Sequence, residues 1–161
     1  MAKINIWPQL SSESQQAVEK SREQYASFTA SSADPLTAMR EGYLHERRYW
    51  NSFAVALASV TDLALDTAHG AVPLRLYKPT TQENLPVLLY AHGGGFMLGN
   101  LDTHDRICRL LAQKSGWAVL AIDYSLAPEK KFPVQADQVL AVLQHVATQG
   151  QTLGLDPTRM A

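Results

Sequence analysis

The residues best suited to chemistry in this chain are Tyr90-Ala91-His92-Gly93-Gly94-Gly95-Phe96, where a short apolar run ends in three consecutive glycines. The preceding Pro86-Val87-Leu88-Leu89-Tyr90-Ala91 is too short for a stable helix and apolar throughout, the pattern of a strand buried on both faces of a parallel sheet. Glycines at the end of such a strand let the main chain turn sharply and bring bare N–H groups against whatever lies above the sheet. One chemistry that uses such donors is acyl transfer, in which negative charge grows on a carbonyl oxygen and each pre-aimed N–H contributes roughly 10²- to 10³-fold in rate. The plainer alternative is a flexible strand-to-helix turn. Phosphate binding matches less well: no Lys-Ser/Thr pair follows the glycines, and the run from Gly93 to Gly99 misses the dinucleotide fingerprint by one position.

Other reactive side chains offer less. Cys108, the single cysteine, sits among Ile107, Leu110 and Leu111, where a thiol serves as a small apolar residue rather than a nucleophile. One cysteine also permits neither an internal disulfide nor a multi-cysteine metal site. Asp102, His104, Asp105 and His92 could be written as a metal site, but a helix N-terminus attracts acidic residues without any metal. Asp123 and Glu129 flank a loop at the carboxyl end of a second apolar stretch, where open α/β sheets place their ligands.

The stretch His92-Gly93-Gly94-Gly95-Phe96-Met97-Leu98-Gly99-Asn100-Leu101-Asp102-Thr103-His104-Asp105-Arg106, with Asp123-Tyr124-Ser125-Leu126-Ala127-Pro128-Glu129 downstream, resembles the hormone-sensitive-lipase-like esterases, and within them the bacterial acetyl esterase branch. The resemblance implies the first part of an α/β-hydrolase fold, a mostly parallel sheet with a leading hairpin, preceded by a helical cap segment. It implies a carboxylic ester hydrolase cleaving short-chain, acetyl-type esters by a serine nucleophile, with no cofactor and no metal. Gly94 and Gly95 would then be the oxyanion N–H donors, with Gly93 and His92 shaping the loop. Asp123 and Glu129 become family markers with a mainly structural role, and Ser125 stands where the wider family usually carries arginine. Glu46-Arg47-Arg48-Tyr49-Trp50-Asn51 resembles the end of the N-terminal helical segment that contributes to a cap over the acyl pocket.

Such an enzyme needs a serine on a G-x-S-x-G elbow, followed by an acid and a histidine. No serine here has glycine two residues before and two after it. Asp156-Pro157-Thr158-Arg159-Met160-Ala161 resembles the lead-in to that elbow, so by resemblance the chain reads as an N-terminal piece. It would hold none of the triad and be inactive by itself. A non-catalytic ligand-binding or regulatory module on the same fold is the alternative, and a homodimer or a regulatory protein partner stays open.

Composition fits an ordinary globular chain: 46% hydrophobic residues, a net charge of -1 and a pI near 6.5. Nucleic acid and anionic membrane are poor partners on this balance, since the nearest thing to a basic stripe is Arg47-Arg48 in a mixed helix. The N-terminus, Met1 to Pro8, has no sustained apolar core or small-residue cleavage pattern, and nowhere do about 18 apolar residues run together. The expectation is a cytoplasmic protein.

The elements that must hold the glycines follow from periodicity. Residues 1–58 read as a helical cap segment. Ser12-Glu13-Ser14-Gln15 has capping-box form, with Val18, Tyr25 and Phe28 following. Asp34-Pro35 opens a second helix, through Leu36, Met39, Tyr43, Trp50, Phe53 and Leu57. Residues 59–161 read as the first half of the hydrolase domain. Asp62 to Asp66 and Val72 to Tyr77 form a hairpin about His69-Gly70. The strand from Pro86 comes next, then a helix capped by Asp102 or Thr103 with Ile107, Leu110, Leu111 and Lys114 on one stripe up to Gly116. Trp117 to Asp123 is a second buried strand. Pro133 then opens a helix through Ala136, Val139, Leu140, Leu143 and Val146 to Gly150. This order predicts an α/β domain with the two apolar strands as parallel neighbours, in the order hairpin, later strand, earlier strand, and the earlier strand on an open edge.

Overall fold

A computed structural model describes residues 5–161. Residues 1–4, the start of the N-terminal stretch read above as lacking a leader, lie outside the described residues. Two helices come first, α1 (Ser12–Ala26) and α2 (Pro35–Asn51), then the hairpin β1 (Ser59–Thr67) and β2 (Gly70–Lys78). The strands β3 (Leu85–Ala91), β4 (Ala118–Ile122) and β5 (Leu155–Met160) alternate with helices α3 (Asp105–Ser115) and α4 (Val134–Gln149). They form a five-stranded sheet in the order β1-β2-β4-β3-β5.

The two apolar strands are parallel neighbours, Val87 opposite Ala118 through to Ala91 opposite Ile122. All five residues of β4 are buried, which explains its uninterrupted apolar sequence. Leu120 and Ile122 face one way into a core with Leu76, Val87, Val142 and Val146. Val119 and Ala121 face the other way, toward Cys108 and Ala112 of α3. Alternate residues along one strand thus fill two cores.

β3 is not an edge. Leu155–Met160 lies alongside it, with Leu89 N–H donating to Ala161 O at 2.8 Å and Ala161 N–H donating to Val87 O at 3.0 Å. Asp and Pro in that strand hide it from pattern reading. Its register shifts between Leu85 and Val87, and Asp156 Oδ1 takes the Thr158 N–H at 2.9 Å, so the irregular stretch keeps its polar groups satisfied.

The helix ends carry further corrections. Ser11, one residue before the expected box, caps α1 by accepting from Ser14 N–H. Asp34 caps α2 as expected, but that helix ends at Asn51 and leaves Phe53 and Leu57 outside it. Neither Asp102 nor Thr103 caps α3; the N-cap position is His104, without a side-chain cap bond. Thr103 is occupied by a reciprocal pair of bonds with Asn100, each 2.8 Å, and Asp102 turns to Arg75 at 2.9 Å. The orphan N–H of Arg106 is taken instead by Asn51 Oδ1 of α2, at 3.1 Å. The buried face of α3 is Cys108 and Ala112, with Ile107 exposed. In α4 the buried positions are Gln135, Gln138, Val142 and Val146, whereas Leu140 and Leu143 of the expected stripe are exposed.

Leu120 is fully buried at the centre of the sheet. Leu120→Ala is expected to cost about 2–5 kcal/mol of unfolding free energy by removing methyl groups that neighbours cannot replace. Urea denaturation followed by circular dichroism measures this, and a loss under about 1 kcal/mol would contradict the packing described.

Candidate oxyanion site

The glycines sit where β3 leaves the sheet. Gly94 has φ 135°, and Gly95 and Phe96 both have φ 61°. The turn closes on itself, since Met97 and Leu98 N–H both donate to Gly94 O, at 3.1 and 3.0 Å. At Gly94 a Cβ would stand 2.0 Å from Leu98 O, so glycine is required by contact as well as by angle. A second requirement falls on Gly99, where a Cβ would meet His92 Nδ1 at 2.4 Å and Gly93 O at 2.8 Å. Among the described residues nothing accepts from the N–H groups of Gly93, Gly94 or Gly95. A cleft of about 800 Å³ opens between them and Phe132, Leu140 and Leu143. Unpaired N–H groups on residues that line an apolar cleft are available to an anionic or charge-developing oxygen.

His92 is a support. Its side chain is 2% exposed and its ring stacks on Tyr124 with centroids 4.4 Å apart, and on His104 at 5.3 Å. Nδ1 lies 3.0 Å from Gly93 O; a carbonyl only accepts, so Nδ1 carries the hydrogen. Nε2 lies 3.7 Å from Asp123 Oδ1, beyond hydrogen-bond range. The Tyr124 hydroxyl, itself buried, donates to His92 O at 2.5 Å, anchoring the last residue before the glycines.

Arg40 has no sequence signal, lying 57 residues from the loop it holds. Its Nε donates to Met97 O at 2.8 Å and Nη2 to Ala127 O at 2.9 Å, while Nη1 and Nη2 grip the Glu129 carboxylate at 2.6 and 2.9 Å. That bonding holds the Glu129 carboxyl at about 2. Gly99 was legible only as part of a glycine-rich stretch, and the role of Asn51 not at all.

The residues considered for a metal do not converge. Asp102 and Asp105 face Arg75, at 2.9 and 3.7 Å, and Asp105 also pairs with Arg109 at 2.6 Å. His92 and His104 stack face to face. Cys108 is fully buried, and burial, with Asp105 nearby, pushes its thiol up to about 12. No helix among the described residues is long and apolar enough to cross a membrane.

His104 titrates abnormally. Burial, then the neighbouring His92 and Arg47, lowers its pKa to about 4. Between pH 4 and 6.5 the unfolded chain therefore binds a proton that the folded chain does not, so this histidine's contribution to stability is complete above pH 6.5 and is lost as pH falls toward 4. NMR of the ring protons should show a midpoint near 4. His104→Gln should flatten the stability profile over this interval, and a midpoint near 6.5 would contradict the burial.

The sequence profile of a family described as alpha/beta hydrolase fold matches residues 88–161. Over 121 residues the chain is 42% identical to an acetyl esterase of Salmonella schwarzengrund (strain CVM19633), an alignment covering 75% of this chain and 37% of that protein. The solved hyperthermophilic esterase from the archaeon Pyrobaculum calidifontis has a TM-score of 0.83 and 32% identity, over 94% of this chain and 48% of that one. A thermostable carboxylesterase cloned from a metagenomic library has a TM-score of 0.76 and 36% identity, over 80% of this chain and 44% of that one. The chain thus spans 37% of the length of the curated acetyl esterase and under half of these solved structures. With the mixed sheet, its helices and the glycine turn at the end of β3, these likenesses show that the chain carries part of the alpha/beta hydrolase fold.

Proposed function

We propose that these residues supply the oxyanion loop of a serine carboxylesterase that cleaves short-chain, acetyl-type esters. The observation that carries the reading is the run of unpaired N–H groups on Gly93, Gly94 and Gly95 at the carboxyl end of β3. In this reading the ester carbonyl oxygen lies against Gly94 and Gly95 N–H. Attack by a serine Oγ on the carbonyl carbon moves the π electrons onto that oxygen, and the two donors stabilise the growing charge. Collapse expels the alcohol and leaves an acyl-enzyme, which water hydrolyses through a second oxyanion held by the same donors. The nucleophile, base and acid are assigned to residues outside these 161.

The direction of β5 supports that assignment. It runs parallel to β3, so a nucleophile on a turn following it emerges at the same end of the sheet as the glycines. Residues 1–58, with α1 and α2, serve as the cap, and residues 59–161 as the sheet domain. A cytoplasmic location is in keeping with Cys108 as a free, buried thiol.

In protein expressed from the complete reading frame, hydrolysis of p-nitrophenyl acetate should be abolished by a serine-directed phosphonate. Gly94→Ala and Gly95→Val should each lower kcat at least about 10²-fold by displacing a donor. Gly93→Ala is the folding control, because a Cβ there meets nothing within 4 Å. Near-normal turnover in a folded Gly94→Ala variant would overturn the oxyanion role. Residues 1–161 alone should show no ester turnover, and turnover by them that survives the phosphonate would overturn the assignment of the nucleophile.

A further inference from the structure

The glycine turn is held from outside by a closed ring of hydrogen bonds. Arg40 Nε donates to Met97 O and Arg40 Nη2 to Ala127 O. Ala127 N–H in turn donates to Phe96 O at 2.8 Å. Phe96 and Met97 belong to the turn whose N–H groups bond back to Gly94 O, so moving the Met97 carbonyl moves Gly94. Phe96 has φ 61°, a left-handed conformation disfavoured for a residue with a Cβ. It persists because bonds from other elements hold its own carbonyl and that of Met97.

Resting on the ester-hydrolase reading, we propose that Arg40 is the positioning residue of the oxyanion loop: its guanidinium, carried by α2, fixes the Met97 and Ala127 carbonyls and so aims the Gly94 and Gly95 N–H groups. The Arg40–Glu129 pair does not explain the arrangement as a stabilising ion pair. The Glu129 side chain is 57% exposed, and pairs this open contribute little. What the carboxylate does is orient the fork, taking Nη1 and one hydrogen of Nη2 so that Nε and the other Nη2 hydrogen point at the two carbonyls. Lysine has no planar fork and cannot hold both carbonyls in that geometry. The cap helix and the oxyanion donors are therefore coupled through one side chain.

Hydrogen exchange of the protein from the complete reading frame reads this coupling without reference to activity. The reporters are the Met97, Leu98 and Ala127 amides. In Arg40→Ala they should exchange at least about tenfold faster, with the β3 and β4 amides unchanged. On p-nitrophenyl acetate, kcat should fall about 10- to 10²-fold with KM within about twofold, as for misplaced transition-state donors. Arg40→Lys should retain the charge yet recover only part of either effect, and Glu129→Gln should be milder than Arg40→Ala. These two conservative variants carry the test if Arg40→Ala does not fold. Unchanged exchange at the three amides in Arg40→Ala, or wild-type exchange and kcat in Arg40→Lys, would overturn the proposal. Faster loop exchange in Arg40→Ala from a wild-type protein that cleaves no ester would uphold the role of Arg40 in fixing the loop and overturn the ester-hydrolase reading instead.

Discussion

The parallel pairing of β3 with β4 is the constraint on which the rest of the molecule depends. Its register ends with Ala91 beside Ile122, so the two chains leave the sheet at the same end and level, one into His92 and the glycines, the other into Asp123 and Tyr124. Only that register brings the Tyr124 hydroxyl to His92 O and lays its ring on the imidazole. A slip by one residue would exchange the two faces of β4 and bury Val119 where Leu120 now packs. Apolar burial on both faces of β4 therefore sets the location of the glycine turn.

The turn itself is held in a costly conformation. Three successive residues have positive φ, one of them Phe96, and among the described residues nothing accepts from the N–H groups of the three glycines. Local bonding closes only the inner ring to Gly94 O. The outer restraints come from three other places: Tyr124 after β4, Ala127 in the following loop and Arg40 on α2. In the oxyanion reading proposed above, a loop so restrained would lose little freedom as charge develops, and its donors would need no reorganisation.

The N-terminus of α3 shows the same economy of parts. Its natural capping residues are used elsewhere, Thr103 on Asn100 and Asp102 on Arg75. Asn51, the last residue of α2, accepts from Arg106 N–H in their place. α2 therefore touches the sheet domain at two of its most demanding points, the glycine turn through Arg40 and the start of α3 through Asn51. A helix that reads in sequence as an amphipathic cap is also part of the frame of the site.

By itself the sequence determined the α/β class, the hairpin, the two parallel apolar strands, the Asp34-Pro35 start of α2 and the Gly116 stop of α3. Each rests on a local cause: side-chain period, a fixed φ, a capping carboxylate, or glycine at a positive angle. It also determined that the glycines end an apolar strand, which carries the resemblance, but not how deep that strand lies: only Leu85 and Val87 of β3 are buried, and Ala91 is exposed. Tertiary structure decided that Leu155–Met160 is a strand, because its Asp and Pro satisfy no period and it exists only by pairing with β3. It decided that Cys108 and Ala112, rather than Ile107, form the buried face of α3, because the close approach of that helix to β4 leaves room for small side chains. And it decided that Arg40, distant in sequence, meets the glycine turn. A guanidinium's partners are carbonyls set by the path of other segments, and no residue type or spacing in the chain announces them.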